Sequence, residues 1–238
     1  MLFSKKIQFP FEEGVLTQRK IKMHNIKLGT KLVVGANQFA FVCVKKKYYD
    51  KFFEGEFELS GGYIPKTFNA LGLHKPIKSR FTKKTKFAKS FYGCVIFVNL
   101  QKYEQIDFAT PSFLIFDTEC DARLRVNGKF SFEIVDKELF SKFVAKYKHG
   151  NDYLIKKISK VVSKKIRYEW HKENIPILDF LRKDSYNLFE LIRNKLSKRL
   201  VKIGIYVDEV ILEEVKLSKH SQVCVKELIE SGKIFFQY

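Results

Sequence analysis

The residues of this chain that could do chemistry are mostly lysines, and the usual catalytic types are scattered. Carboxylates occur in close pairs at Asp117 and Glu119, Asp208 and Glu209, and Glu213 and Glu214. Two acids two apart on a strand share one side, which is the least that acid–base work needs. No nucleophile stands near any pair, and acids are common in strand-end turns. No GxSxG, HExxH, P-loop or GxGxxG pattern occurs. The five histidines, His24, His74, His149, His171 and His220, are dispersed, and none sits at the i, i+4 spacing of a helical metal site. Cys43, Cys94, Cys120 and Cys224 include no CxxC pair. Neither a zinc site of the usual spacing nor a disulfide framework is expected, and all four are read as reduced. The expectation is a non-enzymatic chain with no catalytic residue, no cofactor and no metal.

Charge is the strongest compositional signal. Forty-five Lys and Arg against 26 Asp and Glu give a formal net charge of +19. A field of that size attracts polyanions: nucleic acid, anionic lipid or an acidic protein. Lysine far exceeds arginine, and lysine is the poorer residue for bidentate reading of base edges. A composition rich in Lys, Phe, Ile, Tyr and Asn together is the bland account of the same charge. Two blocks concentrate it. Within 71–89, "LGLHKPIKSRFTKKTKFAK", Lys75, Lys78, Arg80, Lys83, Lys84 and Lys86 occur without an acid. That pattern is an exposed loop or hairpin edge, or a contact patch for an anionic surface. The second block, Lys156, Lys157, Lys160, Lys164 and Arg167, falls opposite Leu154, Ile155, Ile158, Val161, Val162, Ile166 and Trp170 at helical spacing. The chain from Asp152 to Trp170 is therefore a basic amphipathic helix. Its cationic face is either simply solvated or turned to an anionic partner.

These blocks need elements to hold them. "LVV" ending at Gly35, "FAFVCV", "KKKYYDKFFEGEFEL" and the turn "SGGYIP" read as a β-meander. "CVIFV" is apolar on both faces, as a central strand must be. "DFATPSFLIFD" supplies the next strand, with Pro111 suited to its start or to a bulge. "ARLRVNGKFSFEIVD" reads as a hairpin turning at Asn127-Gly128, the favoured two-residue turn. Asp136 is placed to cap the helix "KELFSKFVAKY". After the break at Pro176, Asp184 or Ser185 can cap "YNLFELIRNKLSKRLVKI", with Leu188, Leu191, Ile192, Leu196 and Leu200 as its apolar stripe and Gly204 at its C-terminal end. "IYVDEVILEEVKL" is a strand, and the tail holds one short helix. The chain is thus β-rich in its N-terminal half and α-rich in its C-terminal half.

The order of these elements resembles the SPFH/Band-7 superfamily of stomatins, prohibitins, flotillins and the HflK/C pair, and in particular its virion core protein, or YdjI-like, branch. Three stretches carry the likeness: "LVVGANQFAFVCV" through "GGYIP"; "VIFVNL" with "DFATPSFLIFDTECDARLRVNGKFSFEIVDKELF"; and "LFELIRNKLSKRLVKIGIYVDEVILEEV". The resemblance implies an α+β fold: a curved, mostly antiparallel sheet flanked by helices. It places an N-terminal lead segment at 1–27, an SPFH-like domain at 28–215 (a β-rich lobe at 28–137 and an α/β lobe at 138–215), and a short helix and tail at 216–238. It implies a scaffold that meets an anionic membrane surface, recruits partner proteins and forms homo-oligomers, without turning over a small-molecule substrate. The cationic residues named above are then its surface contacts. Unlike stomatins and prohibitins, this sequence shows no N-terminal membrane hairpin and no long C-terminal coiled coil, and it lacks the cysteines of the zinc ribbon that ends some relatives. No run approaches the roughly 18 apolar residues of a spanning helix. The expected location is the cytoplasm, peripheral at the inner face of the membrane. A basic nucleic-acid-binding module is the alternative, with Tyr48 and Tyr49 after Lys45 to Lys47 as a stacking platform.

Overall fold

A computed structural model describes residues 6–19, 24–75, 77–78, 85–86, 88–111, 113–115, 122–146, 151–173 and 186–231. The expected roles of Asp117, Glu119, Cys120, His149, Pro176, Asp184 and Ser185 lie outside the described residues. The architecture is α+β with mostly antiparallel sheets, strands dominating the first half and helices the second. Two compact units share the chain: residues 1–101 with 137–154, and residues 102–136 with 155–238.

The first unit is built on β1 (Lys6–Gln8), β2 (Thr17–Arg19), β3 (His24–Lys27), β4 (Lys31–Val34), β5 (Gln38–Val44), β6 (Lys47–Phe52), β7 (Gly55–Glu58) and β10 (Ser90–Asn99). Every residue of β5 is buried, as is β10 from Gly93 onward, which the apolar runs "FAFVCV" and "CVIFV" require of central strands. β10 pairs antiparallel with β5 on one side and with β2 and β3 on the other. Between its strands, Gln38 Nε2 donates to Asn99 Oδ1 at 2.8 Å, and Asn99 Nδ2 donates to the carbonyls of Glu12 and Val15. This buried amide pair ties the loop before β2 to the sheet.

The strands from 31 to 58 do not form the single meander that their turns suggest. β5 pairs with β6, but β4 bypasses that hairpin to pair with β7, and β1 joins β4 in parallel. Alternating hydrophobicity marks strands without naming their partners, and long-range pairing decided the order. A short helix missing from the sequence reading, α1 (Pro65–Leu71), follows. Proline fits its first position. The carboxylate of Asp50 on β6 accepts from the amides of Lys66 and Thr67 at 3.0 and 2.8 Å and from the Thr67 hydroxyl at 2.5 Å. The helix stops at Gly72, whose φ is +62°. The hairpin β8 (Ile77–Lys78) and β9 (Thr85–Lys86) comes next, and α2 (Lys137–Ala145), packed against β6, completes the unit.

The second unit comprises β11 (Tyr103–Ala109), β12 (Phe113–Ile115), β13 (Ala122–Ile134), α4 (Tyr186–Leu200), β14 (Ile205–Leu217), α5 (Lys219–Glu230) and most of α3 (Asn151–Glu173). β13 carries β11 and β12 end to end on one side and β14 along nearly its whole length on the other. The expected hairpin at Asn127-Gly128 is absent: β13 runs unbroken through it for 13 residues. The register against β14 shifts there, with Asn127 opposite Glu214 and Gly128 opposite Leu212. This is a β-bulge. A Cβ on Gly128 would lie 2.1 Å from the Ile211 carbonyl oxygen, so the glycine serves close backbone approach, with no turn required of it. A local turn signal lost to a long partner strand far away in sequence.

Leu154, Ile158, Val162 and Ile166 are buried along α3, and Ile192, Leu196 and Leu200 along α4, matching the expected stripes. α4 packs along β14, tightens into a 3-10 turn over Val201–Ile203 and stops at Gly204 with φ +80°. The Gly204 carbonyl accepts from Val135 and Asp136 at 3.0 and 3.2 Å. Between α3 and α4 lies Glu169, only 2% exposed, which ion-pairs with Lys165 and, at 2.9 Å, with Lys195. Cys43 and Cys94 are buried and lie opposite each other across β5 and β10. Cys224 is disulfide-bonded, which corrects the reading of four thiols. Wide sequence spacing carried no information about distance in the fold.

Candidate functional site

α3 buries one stripe, so its opposite face must meet solvent. Lys156, Lys160 and Lys164 recur there every fourth residue and are exposed. At ~1.5 Å per residue the row is ~12 Å long, with ~6 Å between neighbours. The three lysines line a groove of about 860 Å³ that lies wholly within the second unit. Ile106, Phe108, Ala109 and Pro111, with Ile155 of α3, give the groove an apolar part. Arg125, Asn127 and Glu213 from β13 and β14 add a polar one. α3 is fastened beside β11 by the Ser159 hydroxyl, which donates to the Asp107 carbonyl at 3.0 Å. The Ser163 hydroxyl donates to the Ser159 carbonyl at 2.8 Å, so both hydroxyls of the groove are engaged.

The charges do not cancel. Glu213 is neutralised by Lys129 at 2.7 Å, and that hydrogen bond holds the Lys129 ammonium above the usual lysine range. Glu214 accepts from Lys216 at 2.9 Å and from Asn127 Nδ2 at 3.1 Å; the lysine chiefly, helped by Asn127, holds its carboxyl below the usual range. Asp107 contributes one negative charge, which acts on Lys129. Among the described residues, Lys156, Lys160, Lys164 and Arg125 form no ion pair. Arg125 lies opposite Lys216 across the β13–β14 pair, and after Lys216 and Asn127 it too helps hold the Glu214 carboxyl down. Asn127 Oδ1 is buried and has no hydrogen-bond partner among the described residues.

The eleven cations singled out from sequence separate into two groups. Lys156, Lys160 and Lys164 line the groove, while exposed Arg167 and half-buried Lys157 stand on α3 away from it. Of the other six, Lys75 is exposed just beyond α1, Lys78 is in β8 and Lys86 is in β9, all in the first unit, and Arg80, Lys83 and Lys84 lie outside the described residues. Arg125 and Asn127 are not marked as site residues by sequence. Their signal is the outward positions of the alternation around Val126, which the turn dipeptide Asn127-Gly128 disguises as a hairpin. The proposed stacking aromatics are occupied otherwise. Tyr48 sits edge-on to Phe41 at 5.7 Å, and Tyr49 packs against the core of the first unit.

Three of the acids that could do acid–base work are held in ion pairs. Asp208 pairs with Lys102 at 2.6 Å, and Glu213 and Glu214 have the partners given above. Among the described residues, no three of His, Cys, Asp and Glu come together as a metal site. No described helix is long and apolar enough to cross a membrane.

The model of the family described as SPFH domain–Band 7 matches residues 19–232. No curated protein matches the chain.

Proposed function

Because the chain belongs to the SPFH domain–Band 7 family, in general one of membrane-associated scaffolds, we propose that it is a peripheral scaffold that meets anionic membrane surface through its cationic residues and recruits partner proteins. The observation that carries this reading is the exposed lysine row of α3, which is not neutralised by any ion pair among the described residues. A lysine near an anionic bilayer contributes ~1 kcal/mol, so Lys156, Lys160 and Lys164 with exposed Arg167 suffice for reversible attachment. The block at 75–86 adds further cations from the first unit. In the same reading the working domain spans 28–215, belongs to the virion core protein-like branch, and self-associates.

Co-sedimentation with vesicles tests the proposal. Recovery should be high on vesicles containing phosphatidylserine, low on phosphatidylcholine alone, and should fall as salt rises through ~0.15 M, where the screening length is ~8 Å. Equal recovery on both lipids would remove the electrostatic contact.

A further inference from the structure

We propose that the groove between α3 and β11 binds an extended acidic peptide in which carboxylates alternate with apolar residues. This deepens the recruitment half of the scaffold reading, and rests on it, by naming the chemistry of a partner segment.

Spacing is the first argument. The lysine row repeats at ~6 Å, and side chains on one side of an extended strand repeat at ~6.6 Å. Acids at every second residue of a bound strand therefore meet successive lysines, and the residues between them turn to Ile106, Phe108 and Pro111. Size is the second. The groove has a volume of about 860 Å³ and runs beside α3, which leaves room for a short segment of chain along the lysine row.

Hydrogen-bond chemistry is the third. Phosphate would be served by donors converging on one point, but the lysines are strung out in a row and both serine hydroxyls are already engaged. Arg125 closes the charged side and can take a further carboxylate in bidentate fashion.

The test is fluorescence anisotropy with the full chain and a labelled peptide of alternating Glu and Val. A second peptide has the same composition, with its acids in one block. The alternating peptide should bind at least tenfold more tightly than the block peptide. Lys160→Glu should weaken it at least tenfold. Lys198→Glu, which reverses an exposed charge on α4 outside the groove, should change it less than twofold. Equal binding of the two peptides, or equal losses from the two substitutions, would show attraction to net charge alone and overturn the proposal. The vesicle assay on the same preparations separates the two readings. Peptide selectivity lost with vesicle binding intact defeats the groove and spares the membrane contact. Vesicle binding lost with selectivity intact does the reverse.

Discussion

At the scale of single residues, Glu169 shows how this chain handles a buried charge. Burial works to raise its carboxyl, but the ammonium groups of Lys165 and Lys195 outweigh it and hold it below the ordinary carboxylate value of 4.5. Because the folded value is the lower one, the stabilisation is present above pH 4.5 and is lost as pH falls through the folded value. Thermal melts of the parent chain should therefore drop below pH 4.5 more steeply than those of Glu169→Gln. At neutral pH that variant should be less stable by ~1–3 kcal/mol, because two lysines lose their counter-charge. The turn between β5 and β6 makes an opposite case. Lys45 and Lys46 both hold positive φ, at 46° and 63°. Left-handed backbone costs a residue with a side chain ~1–2 kcal/mol, so Lys46→Gly should raise the denaturation midpoint. Neither feature is legible in sequence: a lysine does not announce its φ, and Glu169 meets Lys195 only when two helices dock.

At the scale of elements, legibility follows the range of the deciding interaction. α3, α4, β5, β10 and β14 could be read directly, because their hydrophobic period or run length is written locally. The helix α1 could not, since its first-turn amides are held by Asp50, 16 and 17 residues away in sequence. Asp50→Ala should cost ~1–2 kcal/mol, the usual loss for a helix cap, and hydrogen exchange should quicken at Lys66 and Thr67 first. The strand through Asn127-Gly128 misled for the same reason: a strong turn dipeptide was overruled by β14. The groove inherits this pattern. Its lysine wall was legible as a helical stripe, whereas Arg125 and Asn127 joined it only through the continuous β13. Gly128→Ala should force the bulge apart and destabilise by several kcal/mol, on the order of 3. Protection in β13 and β14 should fall together, and the alternating peptide should lose affinity with it.

At the scale of the whole molecule, net charge was legible from composition, but its distribution was not. Glu104, Asp208, Glu213 and Glu214 are paired with lysines, whereas the α3 row faces no acid in an ion pair among the described residues and carries part of the +19 surplus. Replacing Lys156, Lys160 and Lys164 together by Gln should lower vesicle recovery much more than replacing any three lysines already in ion pairs, since only the free charges attract a counter-surface. The division into two units was not legible either. Composition changes once along the chain, near 138, whereas the chain passes between the units after 101, after 136 and after 154.

That threading sets an order of events on the ribosome. When residue 101 emerges, the first unit still lacks α2, so the part of β6 that this helix covers lies open. At ~5–20 residues per second, the stretch up to the end of α2 at Ala145 takes ~2–9 s to arrive. For those seconds the nascent protein offers chaperones the uncovered part of β6, and a stall in translation before the codon of Ala145 would leave it so.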